Sequence, residues 1–164
     1  VVSRPSDDYY SPMTMDTTGQ WMGTPMDADD IDDLLVGKGW GILSLASDDE
    51  PYSLPVSFGY DGEDVSFVFL EDSPHGRKFE FIDDGKMARL LVNDIASRFD
   101  WQSIAITGTV RRVEHDTADW DRLVDALDDN GWFSSDFQRA DSIEDMHGWR
   151  LELDEVRGLE VKES

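Results

Sequence analysis

"GILSLASDDEPYSLPVSFGYDGEDVSFVFL", residues 41–70, reads as three short strands and the two turns between them. With Trp40 added, "WGILSLA" (40–46) alternates apolar with small or polar residues, as a strand with one buried face does. "SDDEP" is turn chemistry, and "YSLPVSFGY" (52–60) resumes the alternation. "DGED" then supplies a hairpin into "VSFVFL" (65–70), so neighbouring strands run antiparallel.

The pattern continues downstream. "MARLLVND" (87–94) predicts a strand, and "WQSIAITGTVRRVEH" (101–115) a long one with a bend or bulge at Gly108. "GWRLELDEVRGLEVKE" (148–163) predicts a closing strand or hairpin. Helices interrupt this order. "DADDIDDLLVGKG" (27–39) predicts a short one, acidic in its first turn and stopped by glycine. "TADWDRLVDALDDNG" (117–131) places Trp120, Leu123, Val124 and Leu127 at helical spacing, with Gly131 as the stop. A third helix is predicted to start within "EDSPHGRKFEFIDDG" (71–85). Residues 1–26, rich in Ser, Thr, Pro and Asp without an apolar period, read as a flexible N-terminal arm. Residues 27–164 read as a single domain, mainly β: a small antiparallel barrel with two or three flanking helices.

Composition narrows the function. The net charge is −23, from 37 Asp plus Glu against 14 Lys plus Arg, with carboxylates along the whole chain. One reading is an acidic face for a basic partner. The other is a halophile's surface, where molar salt shortens the Debye length to roughly 3 Å and tolerates carboxylates everywhere. The even spread and only four lysines favour the second. Nucleic acid is not expected as a partner, because a phosphate backbone needs a basic footprint. No apolar run approaches the ~20 residues of a membrane span, and the N-terminus lacks a signal-peptide plan. A chain without cysteine holds no disulfide, thiolate nucleophile or cysteine metal site. The expectation is a cytoplasmic protein with no membrane partner.

Within this acidity, His75, Arg77 and Lys78 form a small positive island. Ser73 as N-cap and Pro74 at the first helical position make a good helix start, whose free N–H groups favour an anion. Arginine offers a bidentate fork and lysine a point charge, the pair commonly used on phosphate. The bland alternative is that Arg77 and Lys78 pair with Glu80, Asp83 and Asp84 as ordinary surface ions. Elsewhere chemistry is sparse. His75, His115 and His147 have no metal-ligand spacing, so no metal is expected. No G-x-S-x-G elbow is present, and any carboxylate pair is lost in the acidic background. No catalytic residue is named. Trp101, at a strand start, could flank a flat ligand.

In this order the segments resemble the pyridoxamine 5'-phosphate oxidase-like flavin-binding split barrels. Residues 41–70 are similar to their opening strands, "SPHGRKFEFI" to their G-[RK]-K helix, and "ARLLVND" with "WQSIAITGTVRRVE" to their next strands. The resemblance covers about residues 27–115 well and 116–164 loosely, and the acidic composition makes the chain look like a haloarchaeal-type member. It implies an FMN-binding split barrel and a homodimer with cofactor at the interface. It also implies that Ser73, Arg77 and Lys78 take the FMN phosphate. Pro55, Val56, Ser57 and Phe58 would line the isoalloxazine, and Trp101, Gln102 and Ser103 would complete the pocket, in many members from the second subunit. A deazaflavin is the alternative cofactor, because its phosphate-bearing tail could use the same cradle.

The chain departs from the family at Glu71 or Asp72, where many members carry a histidine, and an acid beside a phosphate is unfavourable. It also lacks the substrate motifs of true pyridoxamine phosphate oxidases. The implied activity is a flavin-dependent oxidoreductase using a reduced nicotinamide and a small, unidentified acceptor. The alternative is a non-catalytic flavin, deazaflavin or haem binding or sensor protein.

Overall fold

In the computed structural model the described residues are 22–71, 77–130 and 145–163. Most of the expected arm, together with Ser73, Pro74, His75 and Gly131, lies outside them. The elements in chain order are β1 (Thr24–Pro25), α1 (Ala28–Lys38), β2 (Trp40–Ser47), β3 (Glu50–Ser57), β4 (Gly59–Tyr60) and β5 (Asp64–Leu70). Then follow α2 (Lys78–Phe81), β6 (Met87–Ser97), β7 (Asp100–Val113), α3 (Ala118–Asp128) and β8 (Met146–Val161). Among these residues no helix is long and apolar enough to cross a membrane.

All pairings are antiparallel, in the order β3-β2-β6-β7-β8-β5-β4, with β1 joined to β8. The two strands at the ends of that order, β3 and β4, are consecutive in the chain with only Phe58 between them. An open sheet cannot have its two edges joined by one residue, so the sheet curls into a barrel that is split at Phe58. The single strand expected over 52–60 is therefore two. β3 pairs with β2 up to Ser57, and β4 pairs with β5 from Gly59. The Phe58 N–H leaves the ladder and donates to the Gly39 carbonyl at 2.9 Å.

The turns follow their sequences. Asp48 and Asp49 both have positive φ (49° and 63°) and make the two-residue link from β2 to β3, the mirror-type turn that suits strand twist. At the next hairpin the Asp61 carboxylate accepts from the Glu63 and Asp64 amides at 2.9 and 2.8 Å, an Asx-type closure. The irregularity expected at Gly108 is present, but the extra residue sits opposite it. Thr107 pairs with Glu155 and Gly108 with Leu153, leaving Asp154 unmatched on β8. A side chain at Gly108 would come within 2.4 Å of the Glu152 carbonyl.

Leu43, Leu90, Val92, Ile104, Ile106, Phe58, Phe67 and Trp149 fill the barrel. A second cluster of Val113, Trp120, Leu123, Leu127 and Met146 lies beneath α3. α3 buries three of the four residues expected on its apolar stripe, and Val124 packs against them half-buried. Its N-cap, Thr117, accepts from the Trp120 amide at 3.2 Å.

Candidate functional site

The positive island takes a different form from the expected one. α2 is four residues long, with Arg77 at its N-cap position. One turn aligns too few peptide dipoles to carry the helix-start argument for an anion. What the corner offers is side chains. The half-exposed Arg77 guanidinium donates from Nη1 and Nη2 to the two Glu50 carboxylate oxygens at 2.9 and 3.3 Å, and from Nε to Glu80 at 3.1 Å. Hydrogen bonding and then charge from Arg77 hold the Glu50 carboxyl below its usual range. Lys78 Nζ lies 5.5 Å from the Phe69 ring centre and 5.6 Å from that of Phe79.

Glu71 is exposed and faces His147. Its Oε2 is 3.3 Å from His147 Nε2, and the imidazole meets the Phe79 ring edge-on at 4.9 Å. The pairing of β5 with β8 sets His147 opposite Phe69, whose ring centre lies 5.5 Å from Lys78 Nζ. Neither Glu50 nor His147 figures among the sequence candidates. Glu50 is one of 37 acids and has no distinguishing pattern. His147 could have been found only by pairing β8 with β5.

The remaining candidates lie elsewhere. Pro55, Val56 and Ser57 pair with Ile42, Gly41 and Trp40 at the end of β3 away from Glu50. At ordinary strand rise, Val56 is roughly 20 Å from Glu50 along the strand. Phe58 is buried at the seam. Trp101, Gln102 and Ser103 start β7. Trp101 packs on the backbone of Gly23, Gln102 donates to Glu160 at 2.9 Å, and Ser103 donates to Asn93 at 2.7 Å. Trp101 and Gln102 border a cleft of about 380 Å³ that Asp94, Asp100, Lys162 and Glu163 also line. The register sets Trp101 roughly 30 Å along the sheet from the Glu50 level. One protomer therefore does not gather Arg77 and Trp101 into one cavity.

The outer sheet face has an unusual composition for this chain. On β6, Ala88, Leu90 and Val92 point inward, while Met87, Leu91 and Ile95 are exposed at 60%, 40% and 68%. Ile42 and Ala105 flank Leu91 on the neighbouring strands, and Trp101 flanks Ile95. The charges in the rows through Leu91 and Arg89 are Arg89, Arg157 and Glu155, a net positive one on a chain of −23.

Among the described residues no group of three or more His, Asp or Glu is arranged to hold a metal ion. No curated protein sequence matches the chain. Solved structures do. A FAD-binding protein from Mesorhizobium loti superposes with a TM-score of 0.67 at 18% identity, over 85% of this chain and 98% of that one. A FAD and heme binding protein from Mycobacterium smegmatis gives 0.62 at 20% identity, over 84% and 72%. The heme storage protein HutZ from Vibrio cholerae gives 0.63 at 12%, over 81% and 94%. At these identities the likeness is one of fold. The family model for pyridoxamine 5'-phosphate oxidase, however, matches residues 27–160, from the start of α1 nearly to the end of β8. The split barrel thus has its family: the chain belongs to the pyridoxamine 5'-phosphate oxidases and their relatives.

Proposed function

We propose that this protein binds FMN as a homodimer and works as a flavin-dependent oxidoreductase, taking electrons from a reduced nicotinamide for a small acceptor. The observation that carries the reading is the Arg77 fork. It already holds two oxygens of one carboxylate at 2.9 and 3.3 Å, in the geometry a phosphate would use. Residues of this kind fit the tail of the cofactor that the family uses. Arg77 and Lys78 would hold the phosphate, and Ser73 is proposed with them.

The Pro55–Phe58 backbone would lie along the ring, with Trp101, Gln102 and Ser103 supplied by the second subunit. That arrangement accommodates the long separation of Trp101 from Arg77 in one protomer. The apolar outer face supports a second copy, being the least repulsive contact that so acidic a molecule can offer itself. Bound flavin would supply the redox chemistry. The chain would orient it, shield one face from water and neutralise its phosphate. No side chain is assigned a proton-transfer role.

The test is an absorption spectrum of protein purified in molar KCl, with mass analysis of what heat releases. FMN supports the reading, a deazaflavin changes the redox partner, and a colourless protein that takes up neither removes it. A non-catalytic carrier is the second reading, favoured by the similar structures of a FAD and heme binding protein and a heme storage protein. NADPH reducing bound flavin no faster than free flavin would select it.

A further inference from the structure

Glu50 and Arg77 come from different parts of the chain. Glu50 opens β3 immediately after the Asp48–Asp49 turn, and Arg77 precedes α2. Their contact is fork to fork, Nη1 to Oε1 and Nη2 to Oε2. A guanidinium offers an oxyanion its Nη1/Nη2 end or its Nε side; Glu50 holds the first and Glu80 accepts at the second, and carboxylate and phosphate compete for such an edge with the same geometry. With Nε donating to Glu80, both described acceptors of Arg77 are carboxylates of its own chain. The pair is half-exposed, with side chains at 52% and 54%, so exchange with a solute anion needs no unfolding.

We infer that Glu50 is the resident occupant of the Arg77 fork and determines which ligands gain from it. This rests on the reading of Arg77 as the phosphate residue. A ligand ending in a phosphate monoester displaces the Glu50 carboxylate, because a dianion is attracted to Arg77 more strongly than a monoanion. A ligand without that group leaves the internal pair in place and draws nothing from Arg77. The displaced carboxylate stays tethered nearby and repels the phosphate. Glu50 therefore lowers affinity for phosphorylated ligands while leaving unphosphorylated ones unaffected.

The experiment titrates FMN and riboflavin into wild type, Glu50→Gln, Arg77→Ala and the double variant, following flavin fluorescence in molar KCl. Glu50→Gln is expected to tighten FMN by about three- to tenfold, on the scale of an exposed ion pair plus a nearby repulsion, with riboflavin unchanged. The gain should vanish in the double variant. Equal FMN affinity in wild type and Glu50→Gln overturns the inference while the flavin reading stands. So does weaker binding, which would make Glu50 a residue that orients Arg77. If wild type binds no flavin, the functional reading falls by itself. The fork is then judged with inorganic phosphate and the Arg77 Nε–H NMR signal. A shift larger in Glu50→Gln than in wild type supports Glu50 as occupant, and identical responses overturn it.

Discussion

The Asn130 side-chain amide donates to the Phe58 carbonyl at 2.7 Å, across the seam where β3 becomes β4. The same nitrogen donates to the Gly39 carbonyl at 2.7 Å. Gly39 takes φ 70° and leaves no room for a side chain, because a methyl there would lie 2.6 Å from Asn130 Oδ1. One buried amide thus joins the end of α3, the α1–β2 corner and the split in the barrel.

Asn130→Ala should leave two buried carbonyls without this donor and cost about 2 kcal/mol, a fall in Tm of roughly 4–8 °C. Asn130→Asp should be worse, because it sets a carboxylate against two carbonyl oxygens. Thermal melts of the three proteins at neutral pH check this. A Tm within a degree of wild type for both would remove Asn130 as the clasp.

The Asp61 carboxylate binds two backbone amides and lies 2.6 Å from Arg122 Nε. Burial pushes its pKa up, but the Asp64 and Glu63 amides and Arg122 outweigh burial and hold it below the usual range. A depressed carboxyl stabilises the fold above its unfolded value and loses that contribution as pH falls through the folded one. Neighbouring Asp64 is moved upward by burial, partly offset by Arg150 and Arg122. Its contribution has the opposite sign, growing as pH falls through its raised value. Asp61→Asn should therefore reduce the loss of stability below about pH 4 and cost up to about 1 kcal/mol at pH 7. Tm against pH from 6 to 2.5 tests the sign, and parallel curves for the two proteins would contradict it.

Self-repulsion from 37 carboxylates should make stability depend on screening. Tm is expected to rise steadily from dilute buffer to molar KCl, and more in KCl than in an equivalent concentration of sucrose. A flat response would dismiss the halophilic reading of the composition.

Leu91→Asp combined with Ile95→Glu puts charge on the outer face without touching the barrel interior. Light scattering should show monomers at micromolar concentration, and flavin retention should fall with the dimer. Dimers that persist with flavin bound would move the interface elsewhere.

The strands from 40 to 70 were legible because alternation reports which side chains face a core, and that holds whatever the strand pairs with. The break at Phe58 was not, since Val56, Phe58 and Tyr60 keep the apolar alternation of the sequence running through the seam. β1 was invisible because Thr24 and Pro25 are both exposed and exist as a strand only where β8 offers Leu159 and Glu160. Arg77 and Lys78 stood out by sign against an acidic background. The acceptor of Arg77 did not, because Glu50 is an ordinary acid until folding sets it against Arg77.

β8 has a kinetic consequence. Its 16 residues pair with β7 along one edge and with β5 and then β1 along the other. Until Met146–Val161 has left the ribosome, β5 and β7 have no common neighbour and the cylinder cannot form. The hairpins β2–β3 and β6–β7 can appear early from local contacts, whereas closure requires β5 to meet β8, with partners as distant in the chain as Asp64 and Glu152. Such long-range pairing makes folding slow. A nascent chain arrested before residue 146 should display open sheet edges and depend on chaperones, however favourable its finished state.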